Sequence, residues 1–121
     1  MKFLCVEEGP DNSSKTSFTK ECFREAVKIL LTTIPPGKVT SYSKIAKILR
    51  THPRNIARAL KSNDEPLIVP CHRVVHNNGK LGGYTIKGRS QPDLKKKLLL
   101  LEGVKIANDK VLKNFFIDNL I

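Results

Sequence analysis

The sequence is poor in the features on which several protein classes depend. It has three cysteines, an odd number, at Cys5, Cys22 and Cys71, with no Cys-x-x-Cys pair. A disulfide framework is therefore not expected, and the first two are interpreted as small core thiols rather than half of a zinc site. No apolar run approaches the roughly 20 residues of a membrane span, and two glutamates stand in the first ten residues, where a signal peptide is apolar. These absences predict a cytoplasmic protein (nuclear in a eukaryote) with no membrane association.

Acidic residues are scarce in the middle of the chain. None occurs from Ala26 to Asn63, and the stretch from Ala26 to Pro92 holds twelve Lys or Arg against only Asp64 and Glu65. The net charge of the whole chain is +11 at pH 7. A basic surface concentrated in one small domain is typical of a protein with a polyanionic partner, and nucleic acid fits better than a membrane. A basic protein with no such partner has the same composition.

The spacing of apolar residues predicts a mainly α domain with small β elements. The first helix begins at Phe18 and stops before Pro35-Pro36-Gly37. Two short helices are predicted over 41–50 and 53–62, with Pro53 as a first helical residue. The second of them is basic, so the pair predicts a helix-turn-helix in a winged-helix-like domain. A plain helical bundle with a solvated basic face shows the same pattern.

The remaining segments complete this outline. Residues 1–17 are predicted to be a short strand and linker, and residues 18–121 to form one domain. Residues 67–69 are predicted to be a buried run, and residues 88–92 a loop. A helix over 92–101, closed by a glycine, and a small hairpin are predicted to follow.

The segment Pro70-Cys71-His72 is the candidate for a catalytic site. A thiol next to an imidazole in a positive neighbourhood can have a lowered pKa and react as a thiolate. Neighbouring side chains on an extended backbone point in opposite directions, so contact between Cys71 and His72 needs a bridging water or a bend at Pro70. A buried cysteine that happens to precede a surface histidine is the alternative.

The segment Pro70-Cys71-His72-Arg73-Val74 resembles the active-site signature of the O6-alkylguanine-DNA alkyltransferases, the methylated-DNA–protein-cysteine methyltransferases. Four further blocks resemble the family in the same order between Phe18 and Gly103. They are Ile34 to Tyr42, Pro53-Arg54 with Ala59-Leu60 and Asn63, Gly82-Gly83-Tyr84, and Leu100-Leu101-Glu102-Gly103.

This resemblance implies DNA repair by direct reversal, in which an alkyl group passes from O6-alkylguanine to Cys71 in a single turnover. It implies a monomer that needs no cofactor and no metal. The implied roles are a base acting through a water (His72), its orienting carboxylate (Glu102), an amide that braces the active-site turn (Asn63), a proton donor to the leaving guanine (Tyr42), a hydroxyl toward O6 (Thr85), a pocket wall (Tyr84), and backbone groups that bind the guanine edge (Cys71, Val74).

The resemblance also implies how double-stranded DNA is held. The damaged base is flipped out of the stack, and Arg54 fills its space from a recognition helix in the minor groove, where Ala57 allows close approach. Further DNA contacts are implied for Ser41, Tyr42, Lys44, Lys47, Arg50 and Lys61, so affinity depends on salt. Arg58 stands where the family has a small residue; it either clashes in the groove or adds a phosphate contact.

Other departures and alternatives remain. The family usually has a glycine in place of Ala57, and the spacing from Tyr84 to Glu102 is about four residues longer than usual, which predicts a remodelled loop. The N-terminal domain that most members carry is expected to be missing.

One alternative function is that of a non-catalytic alkyltransferase-like protein. Such a protein binds alkylated guanine but typically has tryptophan or alanine in place of the cysteine, so Cys71 and the absence of tryptophan argue against it. The other alternative is a winged-helix transcription regulator, in which Cys71 would have no function.

Overall fold

The structure, a computed structural model, describes residues 20–63, 65, 68–118 and 120. Within them the chain is mainly helical with three two-stranded sheets, as predicted from the sequence. The helices are α1 (Lys20–Thr32), α2 (Tyr42–Ile48), α3 (Pro53–Lys61) and α4 (Pro92–Leu101). The strands are β1 (Thr40–Ser41), β2 (Val74–Val75), β3 (Thr85–Ile86), β4 (Arg89–Ser90), β5 (Ile106–Ala107) and β6 (Lys110–Val111). Single 3₁₀ turns cover Cys71–Arg73 and Lys113–Phe115.

The first three helices form the main core. Their apolar stripes converge, and the buried residues include Val27 and Leu31 of α1, Ile45 of α2, and Ile56 and Leu60 of α3. Each stripe follows the three- and four-residue spacing of the sequence, so burial of these faces, rather than helix propensity, holds the short helices in place.

The ends of α2 and α3 are set by local chemistry. The Ser41 hydroxyl accepts from the Lys44 backbone N–H at 3.0 Å and caps α2. The His52 ring accepts from the Arg54 N–H at 3.1 Å and caps α3, which has Pro53 in its first turn as predicted. The two helices are therefore separated by four residues, which matches the predicted helix-turn-helix arrangement.

One parallel pairing brings distant parts of the chain together. Strand β1 ends directly before α2, and β2 begins directly after the turn that contains Cys71. They pair in the register Thr40 to Val74 and Ser41 to Val75. This pairing places Tyr42, the first residue of α2, beside the Cys71 turn.

Helix α4 ends in a Schellman motif. Val104 N–H donates to the Leu99 carbonyl at 3.0 Å and Gly103 N–H to that of Leu100 at 3.0 Å. Gly103 has φ +92°, a conformation that costs glycine little. Leu99 and Val104 also pack in a second apolar cluster, so the position of Glu102 between them is fixed on both sides.

Three details differ from the sequence predictions. Residues 67–69 were predicted to be buried. Of the two that the structure describes, Val69 is buried but Ile68 is 75% exposed. Residues 88–92 are not simply a loop, because β4 pairs with β3. Cys22 is disulfide-bonded rather than a core thiol.

The predicted strand and linker over 1–17 lie outside the described residues. None of the helices in the described part of the chain has the length and apolar content to span a membrane.

Candidate active site

Cys71 opens the 3₁₀ turn and is a free, buried thiol, 5% exposed. The turn is held by Cys71 N–H donating to the Val69 carbonyl at 2.8 Å and by Arg73 N–H donating to that of Pro70 at 3.0 Å. The backbone is therefore bent here, and the extended geometry considered from the sequence does not apply. A bend at Pro70 was the alternative considered there.

Asn63 braces the segment that leads into this turn. Its side-chain Nδ2 donates to the Val69 carbonyl at 3.0 Å, and its Oδ1 accepts from the Glu65 backbone N–H at 3.0 Å. Both bonds are short-range in the sequence, yet they join the end of α3 to the residues before Cys71. A buried amide that satisfies both its groups in this way makes the turn rigid.

The pKa of Cys71 differs from the sequence expectation. Burial raises it above its ordinary value, although contact with Asn63 and the positive charge of Lys95, among smaller effects, pull it down. A lowered pKa was expected because only the positive neighbourhood was visible from the sequence. The resting thiol therefore keeps its proton at neutral pH and needs a base to become a nucleophile.

His72 follows Cys71 in the same 3₁₀ turn and is the candidate for that base. Its side chain is 1% exposed, and Nε2 lies 2.9 Å from Glu102 Oε2. Burial lowers the pKa of His72 despite the carboxylate, so the ring is neutral at neutral pH. A carboxylate can only accept, so Nε2 carries the proton and Nδ1 has the free lone pair. Nδ1 is buried and has no hydrogen-bond partner within the described part of the protein.

Arg73 keeps the orienting carboxylate ionised. Its Nε and Nη2 donate to the two oxygens of Glu102 at 2.9 and 2.6 Å, and Nη1 donates to the Ile34 carbonyl at 2.8 Å. Burial opposes ionisation of Glu102, but the hydrogen bonds from Arg73 and His72 outweigh it and hold the pKa of this carboxyl below its usual value.

Tyr42 and Lys95 form the opposite side of the site. Tyr42 is buried, and burial followed by the nearby Cys71 raises the pKa of its hydroxyl to about 12. Lys95, on α4, is 0% exposed and donates from Nζ to the Val74 carbonyl at 2.7 Å. Burial lowers the pKa of Lys95 to about 8.

A small cavity of about 80 Å³ opens at Cys71. Its walls come from α2, α3 and the segment before β3, and it is lined by Tyr42, Ala57, Leu60, Lys61, Cys71, Gly83, Tyr84 and Thr85. All of these except Leu60 and Gly83 are predicted site residues, so the structure brings them together around the thiol. Val74 does not line the cavity: its carbonyl accepts from Lys95 and its N–H donates to the Cys71 carbonyl. Burial, followed by the effect of Cys71, raises the pKa of Tyr84 to about 12.

The predicted DNA-contacting residues divide into two groups. Exposed side chains on α2, α3 and the segment between them are Lys47, Arg50, Arg54, Arg58 and Lys61. Ser41 is 4% exposed and its hydroxyl caps α2, so this side chain is not presented to a partner. Lys44 is half-buried and donates from Nζ to the Asp118 carbonyl at 2.8 Å. Five of the predicted DNA-contacting side chains are thus exposed, and the contacts predicted for Ser41 and Lys44 stay predictions.

A larger groove, of about 440 Å³, lies on the other flank of α3. It is lined by Phe23, Arg24, Leu49, Arg50, Thr51, Asn55, Arg58 and Ala59, and it contains no thiol, carboxylate or imidazole. We therefore assign the chemistry to the smaller cavity. Among the described residues, no cluster of three His, Cys, Asp or Glu side chains is placed to hold a metal ion.

Most of the chain matches a known protein family. The family described as "6-O-methylguanine DNA methyltransferase, DNA binding domain" matches residues 22–104, which include the whole site. The chain belongs to this family. A methylated-DNA–protein-cysteine methyltransferase of Archaeoglobus fulgidus is 44% identical over 100 residues, which is 78% of this chain and 62% of that relative. The chain thus spans about 60% of the length of such curated relatives.

Two solved structures resemble the fold. The O6-methylguanine-DNA methyltransferase of Pyrococcus kodakaraensis is 42% identical with a TM-score of 0.61, over 68% of this chain and 46% of that one. Schizosaccharomyces pombe Atl1, solved with DNA containing O6-carboxymethylguanine, has a TM-score of 0.68 over 82% of this chain and 97% of its own. At 24% identity the second likeness concerns the fold alone.

Two residues of this methyltransferase-family site were missed from the sequence. Arg73 lies inside the motif but was not given a role, and Lys95 lies in a run of three lysines that is typical of a solvated face. A signal for Lys95 was available: it stands four residues before Leu99, on the helix face that is buried. The interval between Tyr84 and Glu102 holds the β3–β4 hairpin, where the longer loop was predicted, followed by α4.

Proposed function

We propose that this protein repairs DNA by direct reversal, taking an alkyl group from O6-alkylguanine in duplex DNA onto Cys71 in one irreversible turnover. The observation that carries the proposal is a free thiol at a cavity, next to a neutral histidine whose other nitrogen is held by a carboxylate at 2.9 Å. This is the nucleophile–base–orienter arrangement of covalent catalysis. In this proposal residues 18–121 act as one monomeric domain in the cytoplasm, or in the nucleus of a eukaryote.

The chemistry balances with the groups present. His72 Nδ1 takes the Cys71 proton through a water, and Glu102 stabilises the imidazolium that forms. The thiolate sulfur attacks the alkyl carbon, the bond from that carbon to O6 breaks, and its electron pair stays on the guanine. Tyr42, still protonated because its pKa is about 12, donates a proton to the guanine. The product is a thioether on Cys71, which none of these groups can cleave.

The DNA side of the proposal uses the exposed basic residues. A base inside the stack cannot reach a thiol that is 5% exposed, so the guanine is flipped into the cavity. Arg54 fills the space it leaves, and Ala57, on the same helix, lines the cavity at the point of closest approach. Lys47, Arg50 and Lys61 contact phosphates, so binding does not depend on base sequence.

The test is the intact mass of the protein after mixing with a duplex that contains O6-methylguanine. We expect a gain of one methyl group per molecule, and none for Cys71→Ala. Tight, damage-specific binding without a mass change refutes transfer and favours the non-catalytic damage-binding alternative. Absence of both refutes a repair role on this lesion.

Substitution of Arg54 tests the flipping step. Arg54→Ala is expected to slow transfer from duplex by about 10-fold or more, and to leave the reaction with free O6-benzylguanine nearly unchanged, because the free base needs no flipping. Arg24→Ala, which removes an exposed arginine beyond the other flank of α3, is the matched control. Equal losses on the two substrates refute the role of Arg54.

A further inference from the structure

The short hairpin of β3 and β4 stands at the rim of the cavity. Thr85, the first residue of β3, lines the cavity, and Ile86, the second, packs against the main apolar core. The connection to β4 consists of Lys87 and Gly88, and all residues from Lys87 to Ser90 are exposed. The hairpin is therefore fixed at its base beside the cavity, while its outer end is open to solvent.

The backbone gives this outer end a defined shape. Lys87 has φ 49° and Gly88 has φ 80°, and positive φ at both central residues is the requirement of a type I′ turn. A Cβ on Gly88 would meet no atom within 4 Å, so glycine serves here through its conformation and not through its size. At the base, the Gln91 N–H donates to the Tyr84 carbonyl at 2.6 Å. The hairpin is thus shaped before any partner binds.

The hairpin carries positive charge only. Lys87 and Arg89 are the two charged residues from Gly82 to Pro92. Neither side chain forms a hydrogen bond or ion pair within the described part of the chain. Two exposed cations with no acidic group to neutralise them favour an anionic partner. Charge that only protects the strand edges from another chain stands in the same place, but it predicts no role in binding DNA.

The cavity lies between α3 and the hairpin. Lys61 is exposed on the α3 side, and Gly83 and Thr85 form the hairpin side. A strand rises about 3.3 Å per residue, so the backbone of Lys87, two residues past Thr85, stays within about 7 Å of the cavity wall. A nucleotide whose base enters the cavity keeps its phosphates outside, joined to the rest of its strand. That strand therefore passes between the exposed cations of α3 and those of the hairpin.

We propose that the β3–β4 hairpin is a second DNA-binding element, in which Lys87 and Arg89 contact phosphates of the strand that carries the damaged base. In this arrangement α3 and the hairpin hold that strand from the two sides of the cavity mouth. Phosphate contacts carry no base information, so the element suits a lesion in any sequence. The inference rests on the proposed function for the flipped base, but the contact is measured by binding, without alkyl transfer.

The first experiment measures duplex Kd against salt in a Cys71→Ala background, where the lesion is not consumed. Lys87→Asn/Arg89→Gln removes both charges and keeps the turn, because asparagine readily adopts positive φ. The slope of log Kd against log salt should decrease by about 2, and Kd near physiological salt should rise about 10-fold. Lys105→Gln/Lys113→Gln removes the same charge from two exposed lysines beyond α4 and should leave the slope nearly unchanged. An unmoved slope in the hairpin variant, or an equal change in the control, overturns the inference.

A second experiment identifies the strand that is held. Single phosphates around the lesion are replaced by neutral methylphosphonates, first in the damaged strand and then in its complement. At one or two positions in the damaged strand, the replacement should weaken binding by the native hairpin about 3- to 10-fold. It should leave binding by Lys87→Asn/Arg89→Gln unchanged, because the charge that met the phosphate is already gone. Such positions only in the complement, or equal losses for both proteins throughout, overturn the inference.

The reaction with free O6-benzylguanine separates a DNA contact from an effect on the cavity. Lys87→Asn/Arg89→Gln should react with the free base at the native rate, because neither side chain lines the cavity, and should be slower only with subsaturating duplex. The exchange Lys87→Arg/Arg89→Lys keeps both charges and should restore the salt slope and the duplex rate. Equal losses on the two substrates show that the hairpin acts by shaping the cavity, and they overturn the inference.

The proposed function and the hairpin contact fail in different ways. If the salt slope and the methylphosphonate positions behave as expected but the intact mass shows no alkyl gain, transfer fails and the hairpin contact stands. If the mass rises by one methyl group but the hairpin variant has the native salt slope, the proposed function stands and the inference about the hairpin fails.

Discussion

The interior behind Cys71 and the outer face of α2 and α3 use charge in opposite ways. Behind the thiol, Glu102 accepts from both His72 and Arg73, and Lys95 reaches three oxygens. On the outer face, the exposed side chains of five residues form no hydrogen bond or ion pair within the described part of the chain; they are Lys47, Arg50, Arg54, Arg58 and Lys61. The charged side chains behind the thiol are thus paired with protein groups, whereas those on the outer face of α2 and α3 are not.

The difference separates two tasks. Buried charges act over short distances in a medium of low polarity, so small displacements there alter reactivity. Exposed charges act through a field that salt screens within about 10 Å, and they tolerate movement. We therefore expect interior substitutions to change the chemical step on every substrate, and surface substitutions to change only reactions that involve a duplex.

The largest effect is expected for Glu102→Gln. The change removes the negative charge that orients and stabilises His72, and it leaves Arg73 without its ion pair. Transfer should fall at least about 100-fold, equally with duplex and with free O6-benzylguanine. Asp93→Asn, an exposed carboxylate on α4, is the control. A loss confined to the duplex substrate would break the proposed division of tasks.

A smaller and purely surface effect is expected for the double variant Lys47→Ala/Lys61→Ala. If each lysine neutralises one phosphate, the slope of log Kd against log salt should decrease by about 2, and affinity at physiological salt should fall about 10-fold or more. Reaction of the single variant Lys47→Ala with the free base should be unaffected, whereas Lys61 also lines the cavity. Lys113→Ala, an exposed lysine far along the chain, is the control. An unchanged salt slope would show that the duplex does not touch this face.

The interior ion pair should also appear in the pH dependence of stability. The pKa of Glu102 is lower in the folded than in the unfolded chain, so its contribution is complete above the unfolded value of about 4.3 and is lost as pH falls through the folded value. Urea unfolding should show native protein more stable than Glu102→Gln by about 1–2 kcal/mol near pH 6. This gap should close toward pH 3; a constant gap would contradict the assignment.

The smallest effect concerns the end of α2. Arg50 has φ 55°, and it occupies the position after the helix where the Thr51 N–H donates to the Ala46 carbonyl at 2.8 Å. Glycine adopts this conformation without strain, so Arg50→Gly should raise the free energy of unfolding by about 0.5–1 kcal/mol. Arg50→Ala, which loses the charge but keeps the strain, should not. If both variants also bind duplex more weakly, a surface charge is retained here at a cost in stability.

The local elements were predictable because their signals are local. Pro53 and Pro92 open α3 and α4, and Gly103 closes the last helix, each through a backbone property of one residue. Cys71 and His72 could be singled out for the same reason, because the motif is contiguous. Ile68 was misplaced because burial of a short apolar run depends on what packs against it.

What the sequence determined by itself is therefore the helical segments, the position of the candidate thiol and the basic character of the domain. Only the tertiary structure decided how that thiol is controlled. The pKa of Cys71 is raised because burial outweighs the hydrogen bond with Asn63 and the positive charge of Lys95. Lys95 lies 24 positions from Cys71 in the sequence, and it affects the pKa of the thiol only because α4 packs against the Cys71 turn. Desolvation and through-space charge depend on distances between residues far apart in the chain, and those distances exist only once the helices have packed.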